Sequence, residues 1–229
     1  MTGFRIFPRG RTVPEDLVQA FRALPVANVS DVMSRTAGAG AQLRPYHSGA
    51  KLCGIALTVR TRPGDNLMIH KALDMAGPGD VIIVDGDGDL NNALMGEMML
   101  AQALQRGVAG IVLDGAVRDL DWIRRHDLPV FAAGVTHRGP YKEGPGEINA
   151  TVSVAGMVVA PGDLILGDAD GVVCVPKDDA AQIINAALAK ARAEERQMKS
   201  ILDGTIDRSW VDAELTKRNC VVMNEPQTR

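Results

Sequence analysis

Aromatic side chains are scarce in this chain of 229 residues, which has four Phe, two Tyr and two Trp. Its core must be built from Val, Ile, Leu, Met and Ala, and a module that stacks bases or sugars on aromatic platforms is disfavoured. Cysteine is scarce too. Cys53, Cys174 and Cys220 are odd in number and lack framework spacing, which fits a reducing compartment rather than a disulfide scaffold. Cys53 and Cys174 lie in apolar runs and read as inert core residues. No apolar run reaches the length of a membrane span and no charged-then-apolar leader opens the chain, so the cytoplasm is the expected location and no membrane partner is expected. Neither sign of charge dominates: 25 basic side chains face 28 acidic ones, for a net charge of −3. Without a basic stripe, direct nucleic-acid binding is not expected. Nucleotide motifs are missing as well. Gly86-Asp87-Gly88 is not followed by the rest of a dinucleotide fingerprint, and no Gly-rich segment ends in Gly-Lys-Ser or Gly-Lys-Thr. His47, His70, His126 and His137 show no metal-ligand spacing, and no Ser or Cys sits in a nucleophile elbow.

What is present is a single α/β domain over residues 1–229, with an N-terminal arm at about 1–12. A helix is expected from Pro14 to about Leu24, with Thr12 as a possible cap, and a second short one from Asn28 to Met33. Residues 34–50 read as a loop. Strands are expected over Leu52–Arg60, Val81–Val84, Val108–Leu113 and Pro129–Ala132. The helices between them are expected over Leu67–Ala76, Leu94–Arg106 and from Val117 to Arg125. Apolar runs such as Val81-Ile82-Ile83-Val84 suit strands buried on both faces, and the alternation with helices is the pattern of a largely parallel sheet. Asp114-Gly115 is expected to turn the chain, and residues 134–149 to form a long loop. Short strands follow near Thr151–Val154, Met157–Val159, Leu164–Leu166 and Val172–Val175. A helix from about Lys177 to Ile201 and a polar tail close the chain. Pro63-Gly64-Asp65, Pro78-Gly79-Asp80 and Pro161-Gly162-Asp163 read as one turn chemistry used three times.

Chemistry is expected at one edge of the sheet. Gly96-Glu97 lies near the start of the central helix, where free N–H groups and the helix dipole favour a carboxylate or phosphate. Arg118-Asp119 follows the next strand. In a parallel unit that strand end lies beside the helix start, where α/β proteins place ligands. Arg offers a planar fork for a carboxylate or carbonyl oxygen, and Asp a hard oxygen for Mg²⁺. A first-turn acid at Glu97 and a structural ion pair at Arg118-Asp119 are the alternatives at this level. Asp85, Asp87 and Asp89 resemble part of a calcium loop, but its Glu and Gly offsets are missing, so an acidic loop is the better reading. Asp168-Ala169-Asp170-Gly171 reads as a turn.

The order and spacing of Pro63-Gly64-Asp65-Asn66, Pro78-Gly79-Asp80-Val81, Gly96-Glu97, Gly107-Val108-Ala109-Gly110, Asp114-Gly115-Ala116-Val117-Arg118-Asp119, Pro129-Val130-Phe131-Ala132, Pro161-Gly162-Asp163 and Asp170-Gly171-Val172 resemble a known family. It joins class II 4-hydroxy-4-methyl-2-oxoglutarate aldolases to RraA-like regulators of a ribonuclease, and the resemblance runs from about Val29 to Val175. It implies an α/β fold of the compact β/β/α swivelling-domain type with a βαβ-containing central part. It also implies a homotrimer or homohexamer with sites at subunit interfaces, to which the N-terminal arm and the C-terminal helix and tail (about 177–229) contribute.

In the aldolases of that family an acid is followed, after twenty residues, by Arg-Asp; Glu97 and Arg118-Asp119 match. The resemblance implies a divalent-metal-dependent lyase. It would cleave 4-hydroxy-4-methyl-2-oxoglutarate or 4-carboxy-4-hydroxy-2-oxoadipate to pyruvate and a second oxo-acid, in aromatic compound degradation, and would decarboxylate oxaloacetate. Asp119 would hold Mg²⁺ or Mn²⁺, largely through water. Arg118 would donate to the keto oxygen, backbone groups of Gly96, Glu97, Met98 and Met99 would hold the substrate carboxylate, and Glu97 would assist the base. Glu194 or Glu195 of a neighbouring subunit would supply a further acid. Trp122 stands where some aldolases carry an acid. The alternative within the same resemblance is a non-catalytic RraA-type regulator that binds protein partners.

Overall fold

The computed structural model describes residues 3–223. The chain divides into two compact units, one running to Ala189 and the other starting at Lys190. The first begins with β1 (Phe4–Ile6), α1 (Glu15–Phe21), α2 (Val26–Val32) and β2 (Arg44–Pro45). Its centre is β3 (Leu52–Thr61), α3 (Leu67–Met75), β4 (Asp80–Met95), α4 (Glu97–Gln105), β5 (Gly110–Val117), α5 (Leu120–Arg125) and β6 (Val130–Val135). Then come β7 (Gly146–Ile148), β8 (Val152–Val154), β9 (Met157–Val159), β10 (Leu164–Asp168) and β11 (Gly171–Val175). Helix α6 (Ala180–Leu202) carries the chain from one unit into the other, and α7 (Ser209–Lys217) lies within the expected tail.

The main sheet runs β1-β7-β3-β4-β5-β6-β2, with β10 pairing β3 and β11 pairing β10. Strands β3, β4, β5 and β6 are mutually parallel, so α3, α4 and α5 are their crossover helices. The apolar runs explain the layering, because successive residues of a strand face opposite sides. Leu57, Val59, Ile82, Val84, Ile111 and Leu113 pack with Ile69, Leu73 and Leu100 of the helices. The intervening Ala56, Val81, Ile83 and Val112 pack with Val152, Val159, Ile165 and Cys174 of the later strands. The first unit is therefore a β/β/α arrangement, with hairpin β8–β9 among the strands covering the face opposite the helices. Cys53 and Cys174 are buried, and burial pushes the Cys53 thiol up to about 11, so it is inert at neutral pH.

The three Pro-Gly-Asp phrases share one turn. In each, the Asp N–H donates to the carbonyl of the residue before Pro: Arg62, Gly77 and Ala160. Gly64, Gly79 and Gly162 take φ of 73°, 82° and 88°, as the third residue of a type II turn requires. All three Asp are buried and accept backbone N–H bonds. Asp168 likewise closes its turn by accepting from Asp170, and its other oxygen accepts from Val26.

Several boundaries differ from those expected of the sequence, and two of them shape the site. Strand β4 does not stop at Val84. It continues through the Asp85–Asp89 stretch by irregular pairing with β5, so Leu94 and Met95 close a strand and α4 starts at Glu97. Strand β5 runs on through Asp114-Gly115 to Val117, so the turn falls at Arg118-Asp119. The expected loop over 134–149 contains β7, which pairs with β3 and β1. Helix α1 is preceded by Pro14 with no side-chain cap, and Thr12 plays no such part.

Candidate active site

Met95 at the end of β4 is paired with Val117 at the end of β5. The next residues of the two strands, Gly96 and Arg118, are thereby brought together, and the Arg118 N–H donates to the Met95 carbonyl at 3.0 Å. Asp119 adopts φ 62° and ψ 47°, a left-handed conformation that Asp tolerates better than most residues. Its carboxylate lies against the start of α4: Oδ2 accepts the Glu97 N–H at 2.9 Å and sits 3.6 Å from Arg118 Nε. The sequence reading joined Gly96-Glu97 to Arg118-Asp119 across one βαβ step, and the structure places them in contact. Gly96 is required there, since a Cβ would meet Arg118 Cγ at 2.8 Å and would press on Asp119 Oδ2.

A cleft of about 190 Å³ opens beside this corner. Its polar lining is Asn66, His70, Arg118 and Lys142; Leu94, Met95, Met98, Met99 and Pro140 supply apolar wall. Two cations and no carboxylate line it, so it favours an anion. Burial, and then Lys142, push the His70 imidazole below its ordinary range, with Asp74 opposing, so it is neutral at pH 7. Arg118 and Asp119 keep 43% and 34% of their side-chain surface exposed, so both can still meet a ligand.

Three sequence-read groups take more specific positions. The Glu97 side chain is exposed and adds no wall to the cleft; its backbone N–H is held by Asp119. The Met99 N–H donates to the Gly96 carbonyl. Of the three first-turn amides, Met98 N–H is thus the one left for a ligand at the positive end of α4. Glu194 pairs with Lys190 at 2.8 Å in the second unit, and Glu195 is exposed. Trp122 stacks on His126 with ring centroids 3.8 Å apart and packs against the helix-side core.

Asn66, His70, Pro140 and Lys142 were not singled out as site residues from sequence. Pro140 and Lys142 belong to a stretch that looked like featureless loop. It is anchored: Ala93 N–H donates to the Arg138 carbonyl, Asn92 Nδ2 to Gly139, and Tyr141 N–H to Gly64. The firmest anchor is Asp65, fully buried, whose carboxylate accepts the N–H groups of Leu67, Glu143 and Gly144. Burial alone would raise its pKa, but these N–H groups and Arg62 outweigh it and hold the carboxyl below its ordinary value.

The Asp119 carboxylate can serve as an oxygen ligand, since its Oδ2 is held by the Glu97 N–H while the side chain remains partly open to take a ligand through Oδ1. Among the described residues no three His, Cys, Asp or Glu side chains converge to hold a metal ion. A single carboxylate suits Mg²⁺, which keeps most of its waters and takes few protein ligands.

Fold and cleft together define an α/β protein with an anion-favouring cleft at the carboxyl ends of the parallel strands β4 and β5. The chain belongs to the RraA-like family, described as Aldolase/RraA, whose model matches residues 26–174. A relative from Halalkalibacterium halodurans, named "Putative 4-hydroxy-4-methyl-2-oxoglutarate aldolase", is 36% identical over 191 residues, covering 83% of this chain and 91% of its own. A Thermus thermophilus relative named 4-hydroxy-4-methyl-2-oxoglutarate aldolase is 35% identical over 134 residues, covering 58% and 81%. The crystal structure of Streptomyces coelicolor RraAS2, described as an unusual member of the RNase ES inhibitor RraA family, aligns with a TM-score of 0.74 at 26% identity, over 81% of this chain and 96% of that one. Among the described residues no helix is long and apolar enough to cross a membrane.

Proposed function

We propose that this protein is a divalent-metal-dependent carbon–carbon lyase that releases pyruvate from 4-hydroxy-4-methyl-2-oxoglutarate or 4-carboxy-4-hydroxy-2-oxoadipate and also decarboxylates oxaloacetate. The observation that carries the reading is the corner where Arg118, Asp119 and the first turn of α4 meet at a cleft lined by Arg118 and Lys142. Asp119 is the residue that would hold Mg²⁺ or Mn²⁺, and the cation would supply Lewis-acid pull on a keto oxygen. The Met98 N–H and the α4 dipole receive the adjacent carboxylate. Arg118 donates to the keto oxygen, which gains negative charge as the carbon–carbon bond breaks and its electron pair passes into the enolate. A guanidinium at that oxygen lowers the barrier because the charge is absent from the bound substrate and develops on the way to the enolate.

Cleavage of the hydroxylated substrates also requires loss of the hydroxyl proton. Glu97 is exposed at the helix start, and Glu194 or Glu195 of a neighbouring copy in a trimer or hexamer supplies a second carboxylate. Oxaloacetate loses carbon dioxide without that proton transfer. Use in aromatic compound degradation in the cytoplasm fits such substrates. The second reading, a non-catalytic regulator of ribonuclease activity that binds protein partners, is favoured by the likeness to RraAS2. One assay separates them: pyruvate release from oxaloacetate and from 4-hydroxy-4-methyl-2-oxoglutarate, with Mg²⁺ and with chelator. Metal-dependent turnover is expected. Its absence on both substrates, with a ribonuclease captured by the pure protein, would establish the regulator instead.

A further inference from the structure

The cleft floor carries a polar group that the proposed chemistry does not use. Asn66 is 2% exposed and stands at the N-terminal end of α3. Its Nδ2 donates to the Leu94 carbonyl at 2.9 Å and lies 3.3 Å from Met99 Sδ. That fixes the amide's orientation, because turning it over would set Oδ1 against the Leu94 oxygen. Oδ1 is then a buried acceptor with no partner among the described residues. One helical turn along, His70 Nε2 is buried and unpartnered in the same way. Buried polar atoms are almost always paired. Two unpaired ones from consecutive turns of a helix, in residues lining a cleft shared with Arg118, point to a ligand that brings the missing partner. Met99, whose Sδ lies against the amide nitrogen, lines the cleft beside Asn66, and its flexible side chain can yield to a ligand there.

The chemistry of the missing partner follows. An acceptor needs a donor. On an ionised hydroxy-oxo-dicarboxylate the carboxylates and the keto group only accept, so the hydroxyl is the sole donor. Oxaloacetate in its keto form has none. We infer that Asn66 Oδ1 accepts a hydrogen bond from the substrate hydroxyl, so that Asn66 selects hydroxylated 2-oxo acids over unhydroxylated ones. This rests on the lyase reading above. The amide oxygen is not a base: it holds the hydroxyl in the bound substrate, and the hydroxyl then turns about its C–O bond to pass its one proton to a carboxylate as the carbon–carbon bond breaks.

Asn66→Ala tests the assignment through a split between KM and kcat. Its KM for 4-hydroxy-4-methyl-2-oxoglutarate should rise roughly tenfold, about the worth of one buried hydrogen bond. Its kcat should stay within about threefold, a shift too small to matter against the tenfold criterion. The readout is the discrimination: relative to the KM for oxaloacetate and to the inhibition constant of the deoxy analogue 4-methyl-2-oxoglutarate, the KM for the hydroxylated substrate should rise about tenfold, and any shift common to all three reports the lost Leu94 bond. A purely structural role for the Leu94 bond would weaken all three compounds equally, and that outcome overturns the assignment, as does an unchanged KM. Should the variant fail to fold, calorimetric titration of the metal-free wild-type protein decides. The hydroxylated compound is expected to bind more tightly than its deoxy analogue, and equal affinities overturn the proposal. No turnover of either substrate by wild-type protein removes the lyase reading; turnover without discrimination at Asn66 removes this inference alone.

Discussion

Replacing Gly96 by Ala separates the site from the fold. Gly96 has φ −145° and ψ −171°, extended backbone that any residue adopts, so alanine brings no backbone strain. Its methyl group would instead meet Arg118 Cγ at 2.8 Å and Nε at 2.9 Å, and would press on Asp119 Oδ2. Neither neighbour is locked in the core, with 43% and 34% of their side chains exposed, so both can swing outward. The smaller entropy of the unfolded chain favours Ala over Gly by about 0.4–1 kcal/mol, which offsets part of the clash. The thermal midpoint should therefore stay within about 4 °C of wild type, the shift expected for roughly 1 kcal/mol in a chain of this size. Activity should not survive so well. Misplacing a catalytic group by about 1 Å costs on the order of 100-fold, or roughly 2.7 kcal/mol of transition-state stabilisation. Moving Asp119 also releases the Glu97 N–H and resets the start of α4. Steady-state oxaloacetate decarboxylation, with a melting curve on the same preparation, checks this. A Gly96→Ala protein with wild-type kcat/KM would refute the argument that this corner performs the chemistry, and a loss of activity that merely tracks a collapsed midpoint would refute the separation of site from fold.

Asp65→Asn should destabilise the protein by about 1–3 kcal/mol near neutral pH, because one amide oxygen cannot serve all the buried N–H donors. The folded state holds the carboxyl below its ordinary value, so its stabilisation is complete above the unfolded-state value of about 3.9 and fades as the pH falls through the folded value. Urea unfolding from neutral to acid pH should show the gap between wild type and variant closing in the acid range, and a constant gap would contradict the assignment. Glu97→Ala should reduce aldol cleavage more than decarboxylation, since only cleavage needs the hydroxyl proton; equal losses would remove Glu97 as the assisting base. Phe131→Ala should cost about 3–5 kcal/mol in chemical denaturation, because the ring is fully buried between the main sheet and the covering strands. A cost below about 1 kcal/mol would put the β/β packing in question.

The central strands and their crossover helices were legible because apolar runs and Gly or Pro stops are local signals. Val81–Val84 and Val108–Leu113 announce buried strands, and Gly107 ends α4 with φ 73°. The pairing of Glu97 with Arg118-Asp119 was legible for a topological reason, since parallel order alone sets a helix start beside the next strand end. The continuation of β4 through Asp85–Asp89 was not. Its composition says loop, but irregular pairing with β5 accommodates Asp87 and Gly88 at positive φ, and such pairing is a long-range property. The same holds for Asp114-Gly115, which looks like a turn and stays in a strand because β4 and β6 flank it. Asn66 and Lys142 escaped because each is ordinary in sequence. They become site residues only when Asp65 and the Gly64–Tyr141 bond draw the 138–145 stretch over the start of α3.

In the proposed function Arg118 and Asp119 gather the charge of a pyruvate enolate. Pyruvate alone can report this, because forming that enolate exchanges its methyl hydrogens with solvent. Incubation with pyruvate and Mg²⁺ in deuterium oxide, followed by NMR of the methyl signal, should show deuterium uptake with the wild-type protein. Uptake should fall to the buffer rate with Arg118→Ala, with Asp119→Ala and with chelator. No exchange by the wild-type protein, or exchange at the wild-type rate by either variant, would contradict the claim.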